Sequence, residues 1–128
     1  MRIPNLSEIP DLTPVPAGEY GLRITKSSMK MNKDETRSAH TMSIKVLGEE
    51  NILPITHNLW FGSADAGDDE EKAENMNRRA KEFYNALGID TSGEIEMEDF
   101  VSCEFTALLK VVPNFFDNSP ENEIVRVV

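Results

Sequence analysis

The stretch 68–88 restricts the fold more than any other part of this sequence. Apolar or small side chains recur at Ala73, Met76, Ala80, Phe83, Tyr84 and Leu87. That is the three-and-four spacing of a helix with one buried stripe. Asp68 is placed to cap the first turn, with Glu71 as its capping-box partner. Gly88 is placed to end the last turn, where a left-handed residue is needed. Acids at Asp69, Glu70, Glu71 and Glu74 and bases at Arg78, Arg79 and Lys81 complement the helix dipole. An amphipathic helix must lay its stripe against something, and the segments on either side of it read as strands.

Three strands precede the helix. After Gly18, Tyr20, Leu22 and Ile24 alternate with Gly21, Arg23 and Thr25, and the strand runs on toward Met31. The polar residues 32–39 form a loop. Strand 40–47 turns Met42, Ile44 and Val46 inward and Thr41, Ser43 and Lys45 outward. Strand 52–61 carries Pro54, a mark of an edge or a bulge. Ile55, His57, Leu59 and Phe61 share one face, and Thr56, Asn58 and Trp60 the other. Behind the helix come a short helical turn near 97–100, a strand over 101–112 and a last strand over 123–128. Val101, Cys103, Phe105, Ala107, Leu109 and Val111 fall on one face of the first of these. The loop between the two carries Phe115 and Phe116. Residues 1–17, with Pro4, Pro10, Pro14 and Pro16, read as an extended arm. Leu6, Ile9, Leu12 and Val15 suit that arm to an apolar groove or to a partner subunit in a homodimer.

Three strands, a helix, then two strands is the order of the OB fold, in which the helix plugs one end of a five-stranded barrel. The expected architecture is therefore mainly β: an extended N-terminal arm (1–17) and an OB-fold domain (18–128) with one α-helix between strands three and four.

The 128 residues suffice for one domain with its own core. The arm has no apolar signal core, and no segment has membrane-spanning length. The one cysteine, Cys103, rules out an internal disulfide and fits a reducing, cytoplasmic setting. The net charge of −10 is unlike that of most nucleic-acid binders. Its distribution is uneven, however. Between residues 23 and 45, six bases (Arg23, Lys26, Lys30, Lys33, Arg37 and Lys45) face two acids, a local +4. A segregated field of this kind steers a polyanion to one face.

Catalytic patterns are lacking. No Gly-rich phosphate loop precedes a Lys-Ser or Lys-Thr pair. His40 and His57 are not spaced to work with Cys103 or with an acid, and Cys103 lies on the apolar face of its strand, where an inert thiol is expected. The acidic run from Asp65 to Glu71 lacks the pattern of a calcium loop, and one cysteine with two histidines does not make a zinc site. The expectation is a protein that is not an enzyme and needs neither metal nor cofactor.

Single strands are held by a basic groove along the phosphates and by aromatic rings stacked on bases. OB folds place these on strands two and three and on two flanking loops. The candidate DNA-binding residues are Arg23, Lys30, Lys33, Arg37 and Lys45 for phosphates, Asn58 beside them, and Trp60, Phe115 and Phe116 for stacking.

The segments PAGEYGLRITKSSMK, TMSIKVLGEE, ILPITHNLWF, AENMNRRAKEFYNALGI and MEDFVSCEFTALLKV, in this order behind a proline-rich arm, resemble the OB-fold single-stranded-DNA-binding proteins of bacteriophages and related mobile elements. The resemblance covers residues 15–128 and rests on pattern and element order. It implies a protein that coats exposed strands in DNA replication, recombination or repair within a bacterial host cytoplasm, with single-stranded DNA as ligand and replication or recombination proteins as partners. The rival expectation is a structural or protein-interaction barrel of a phage assembly that binds no DNA, which the acidic body and apolar arm would suit.

Overall fold

The computed structural model describes residues 1–128. Five strands form one antiparallel sheet: β1 (Gly18–Met31), β2 (Ser38–Val46), β3 (Ile55–Trp60), β4 (Glu104–Pro113) and β5 (Pro120–Val127). One helix, α1 (Glu70–Ala86), lies between β3 and β4, with short 3-10 turns at Ala64–Ala66 and Met97–Phe100. The protein is thus mainly β with one helix, in the element order expected. The spatial order is β3-β2-β1-β4-β5. The long β1 is central: its first half pairs with β4 (Gly18 opposite Leu109, Arg23 opposite Glu104), and the rest with β2 (Leu22 opposite Val46, Met31 opposite Ser38).

The expected barrel closure is not made by a hydrogen-bonded ladder. β3 and β5 remain at the two edges of the sheet. At one end the root of the arm bridges them. Thr13 donates its amide to Asn51 O (3.1 Å) and accepts from Leu53 N (2.9 Å). Two residues on, the buried side chain of Asn122 in β5 accepts from Val15 N (2.8 Å) and donates to Val15 O (2.9 Å). This also explains why β3 starts at Ile55 rather than at residue 52: the backbone of 51–53 pairs with the arm. Along residues 1–12, Ile3, Leu6, Ile9 and Leu12 are exposed.

The core is made by Leu22, Ile24, Met42, Ile44, Ile55 and Leu109 from the sheet, by Ala80, Phe83 and Tyr84 from α1, and by Phe100 of the second 3-10 turn. Phe100 is fully buried and packs on the rings of His40 and Tyr84 (centroids 4.4 and 4.9 Å). Asp69, not Asp68, caps α1 by accepting from Lys72 N (2.7 Å). Asp68 is turned inward to an arginine. At the other end Gly88 is left-handed (φ 79°). Ile89 N donates to Tyr84 O and Gly88 N to Asn85 O, both at 3.0 Å. These are the paired bonds of a glycine-terminated helix. No helix is long and apolar enough to cross a membrane.

Candidate nucleic-acid interface

The outer face of β1, β2 and β3 is set by one irregularity. Up to Ile24, β1 turns its even residues inward, as its alternation predicts. Between Ile24 and Lys26 the register with β2 shifts: Ile24 pairs with Ile44, but Lys26 pairs with Ser43. Thr25 is the extra residue of a β-bulge, with its hydroxyl donating to Ser43 O (3.1 Å). A bulge inverts the alternation beyond it. Lys26, Ser28 and Lys30 therefore emerge on the same face as Arg23, and Ser27 turns in.

Directly paired residues share a face, so the register makes cross-strand rows. Lys30, Ala39 and Trp60 form the first row, Ser28, Thr41 and Asn58 the second, and Lys26, Ser43 and Thr56 the third. Arg23 and Lys45 follow past the bulge. Of the sequence-derived candidates, Arg23, Lys30, Lys45, Asn58 and Trp60 come together here. Lys26 joins them, although simple alternation along β1 would have pointed it inward. Trp60 is 41% exposed, over the buried Ala39. Asn58 accepts from the Thr41 hydroxyl (2.7 Å). Arg23 is less free than the lysines, because its guanidinium pairs with Glu104 of β4.

Arg37 is not part of this surface. Its side chain is only 15% exposed and forks onto both oxygens of Asp68 (2.5 and 2.8 Å), with Phe61 O as a third partner (3.1 Å). The hydrogen bond to Asp68 raises the Arg37 pKa and, reciprocally, holds the Asp68 carboxyl far below its ordinary range, helped by Ser63 N. Arg37 is a clamp joining the start of β2, the end of β3 and the start of α1, with its guanidinium engaged by Asp68 rather than standing free beside the lysines. Lys33 stands free on the β1–β2 loop, whose turn is held by Asn32 accepting from Thr36 N and Arg37 N (2.8 and 3.0 Å).

Phe115 and Phe116 are each 92% exposed and pack edge to face on one another (5.4 Å). Asn114 shapes their loop, its side-chain oxygen accepting from Phe116 N (2.8 Å) and its backbone N–H donating to Ser119 O (2.7 Å). Adjacent phenylalanines held in water are costly unless something covers them. Because β4 continues past Gly18, this loop leaves the sheet at the end of β1 opposite Lys33. The two loops flank the sheet and do not converge on Trp60.

One histidine is interior and the other half-buried. His40 is 0% exposed, with Ser27 Oγ 2.6 Å from Nε2 and the Tyr84 hydroxyl 2.8 Å from Nδ1. Burial lowers its pKa to about 4, with the charge of His57 adding, and burial pushes the Tyr84 phenol up to about 12. A serine against a histidine resembles a nucleophile and its base; here the imidazole is fully buried and the serine half-buried. The bulge creates this triad too, by turning Ser27 inward, which strand alternation did not indicate. His57 stacks on Phe83 (4.8 Å), and burial lowers its pKa. Cys103 is half-buried and donates its thiol to Asp99 O (3.3 Å). No group of three or more His, Cys, Asp or Glu side chains is placed to hold a metal ion. Neither the protein-family models nor the curated proteins contain a match to this chain.

Proposed function

We propose that this chain is a single-stranded-DNA-binding protein, without catalytic activity, that coats exposed strands during DNA replication, recombination or repair. In this reading the curled sheet is an OB-type barrel whose β3–β5 seam is bridged by the arm instead of by a ladder. Its order, β3-β2-β1-β4-β5, with β3 and β5 left as the seam, supports that. So do α1 lying between β3 and β4, and the resemblance to phage single-strand binders.

One observation carries the function: the bulge at Thr25 gathers Lys26, Lys30 and Lys45 with Trp60 and Asn58 on one face of an otherwise acidic protein. Lysines supply sequence-independent contacts to phosphates, and an exposed indole supplies a stacking platform. The deciding experiment is a gel-shift titration with a labelled oligothymidylate and the matching duplex. Retardation of the single strand alone is expected. The exposed apolar residues Ile3, Leu6, Ile9 and Leu12 favour a second reading, a protein-interaction module, and that reading gains if no oligonucleotide is retarded.

A further inference from the structure

The edge of β3 does not end the candidate surface. Arg37, bonded to both Asp68 and Phe61 O, fastens Asp68 to the end of β3, and Gly62 N donates to Asn77 Oδ1 (2.9 Å). Gly62 itself is packed so tightly on α1 that a Cβ there would lie 2.3 Å from Ala73 Cα. These ties press the first half of α1 along the outer edge of β3. They leave a niche of about 160 Å³ lined by Asn58, Leu59, Trp60, Met76 and Arg79. For comparison, an apolar cavity of about 150 Å³ accepts a benzene ring.

The niche has three unused binding groups. Asn58 Oδ1 is taken by Thr41, but its amide NH2 donates to nothing in the protein. Arg79 belongs to none of the chain's ion pairs. The next residue, Arg78, is by contrast held by Glu74 and Asn75 (3.1 and 2.8 Å). Trp60 presents a half-exposed indole, with the polarizable Met76 thioether on the opposite wall.

We propose that this niche binds one nucleotide of a single strand, and so carries the strand off the β1–β2–β3 face, over the edge of β3 and onto α1. The base stacks on Trp60, a base carbonyl accepts from Asn58 Nδ2, and the phosphate pairs with Arg79. This deepens the proposed function and rests on it for the longer strand, but not for the nucleotide itself. A lone cation on a helix would attract any polyanion. The combination of an unpaired guanidinium, a free amide and an indole around one ring-sized space suits a nucleotide unit.

The test follows Trp60 emission while oligothymidylate, or separately a 5′-phosphorylated thymidine dinucleotide too short to span the sheet, is added to wild type, Arg79→Ala and Arg78→Ala. Both arginines are exposed and alanine favours a helix, so both variants stay folded. Arg79→Ala is expected to bind the oligonucleotide several-fold more weakly, with a salt slope smaller by about 0.7, and to lose most of the quenching by the dinucleotide. Arg78→Ala is expected to change neither. Equal losses in the two variants would reduce Arg79 to general electrostatics and overturn the proposal. Oligonucleotide binding that Arg79→Ala leaves intact would overturn the niche and leave the proposed function standing. Quenching by the dinucleotide without oligonucleotide binding would keep the niche and defeat the longer path. No response to either ligand would overturn both.

Discussion

Replacing Lys26, Lys30 and Lys45 together with alanine removes the free cations of the β1–β2 face. All three are exposed and none takes part in an ion pair, so the thermal midpoint should hardly move. Affinity for single strands should change in a specific way. Each phosphate neutralised on a single strand contributes about −0.7 to the slope of log affinity against log salt. Three lysines therefore contribute a slope of about −2. Between 50 and 200 mM salt, a fourfold change, that contribution corresponds to a roughly sixteenfold loss of affinity in the wild type. Arg23, held by Glu104, and Lys33, on its loop, add less, and a total slope of about −2 to −3 is expected. The triple variant should keep less than about half of it. The assay is fluorescence anisotropy of a labelled oligothymidylate across that salt range. A control with Lys72, Lys81 and Lys110 replaced removes the same charge elsewhere. If the control flattens the slope as much as the face variant does, affinity follows net charge and the gathered lysines are not the contact surface.

Protonation of His40 should couple stability to pH. Its native pKa of about 4 lies below the ordinary 6.5, so in between the unfolded chain binds a proton that the native state does not. Stability is then lost as pH falls from about 6.5 toward 4, by at most about 3 kcal/mol, and is unaffected by this group above that window. Urea midpoints of wild type and His40→Gln at several pH values should diverge over this range, and parallel curves would refute it. Arg37→Ala should lower the thermal midpoint, because it strips Asp68 of its main partner, while leaving the salt slope unchanged. Arg37→Lys should rescue little, since an ammonium cannot grip both carboxylate oxygens and Phe61 O; a flattened salt slope with unchanged melting would restore Arg37 to the phosphate contacts. Phe115→Ser with Phe116→Ser should not affect folding, and should weaken binding only of oligonucleotides long enough to reach past the Gly18 end of β1. An effect on the shortest oligonucleotides would place this loop beside Trp60.

Much of this fold is legible in the amino-acid order because its signals are local. The spacing from Ala73 to Leu87 and the stop at Gly88 define α1, and the 40–47 alternation defines β2. The outward aspect of Trp60 follows from parity alone. The bulge does not, since Thr25 is flanked by neither glycine nor proline and the extra residue appears only when β2 is paired against β1. Everything that depends on it was hidden in the same way, including Lys26 on the outer face and Ser27 against His40. Asp68 and Asp69 are equivalent as caps until the fold supplies a guanidinium to one of them, and Arg37 looks like a surface base until that carboxylate arrives. Element order predicts barrel closure and does not reveal that residues 13–15 pair with residues 51–53 ahead of β3 and with Asn122 of β5. Arg79 read as a favourable charge on the helix dipole, and only the approach of α1 to β3 puts it beside Trp60.

The most direct measurement uses the only tryptophan. Trp60 stands at the end of the lysine-bearing face, so its emission reports on that surface without labelling. Titration with oligothymidylate at low salt should quench it to saturation. The matching duplex, whose bases are already stacked, should quench it much less. Trp60→Ala should weaken single-strand binding about tenfold, within the roughly 1–3 kcal/mol that stacking on one base contributes, and should lower the thermal midpoint modestly, because the indole also covers Ala39. Emission unchanged at saturating oligonucleotide, or quenched equally by duplex, would contradict single-strand binding on the β1–β2–β3 face.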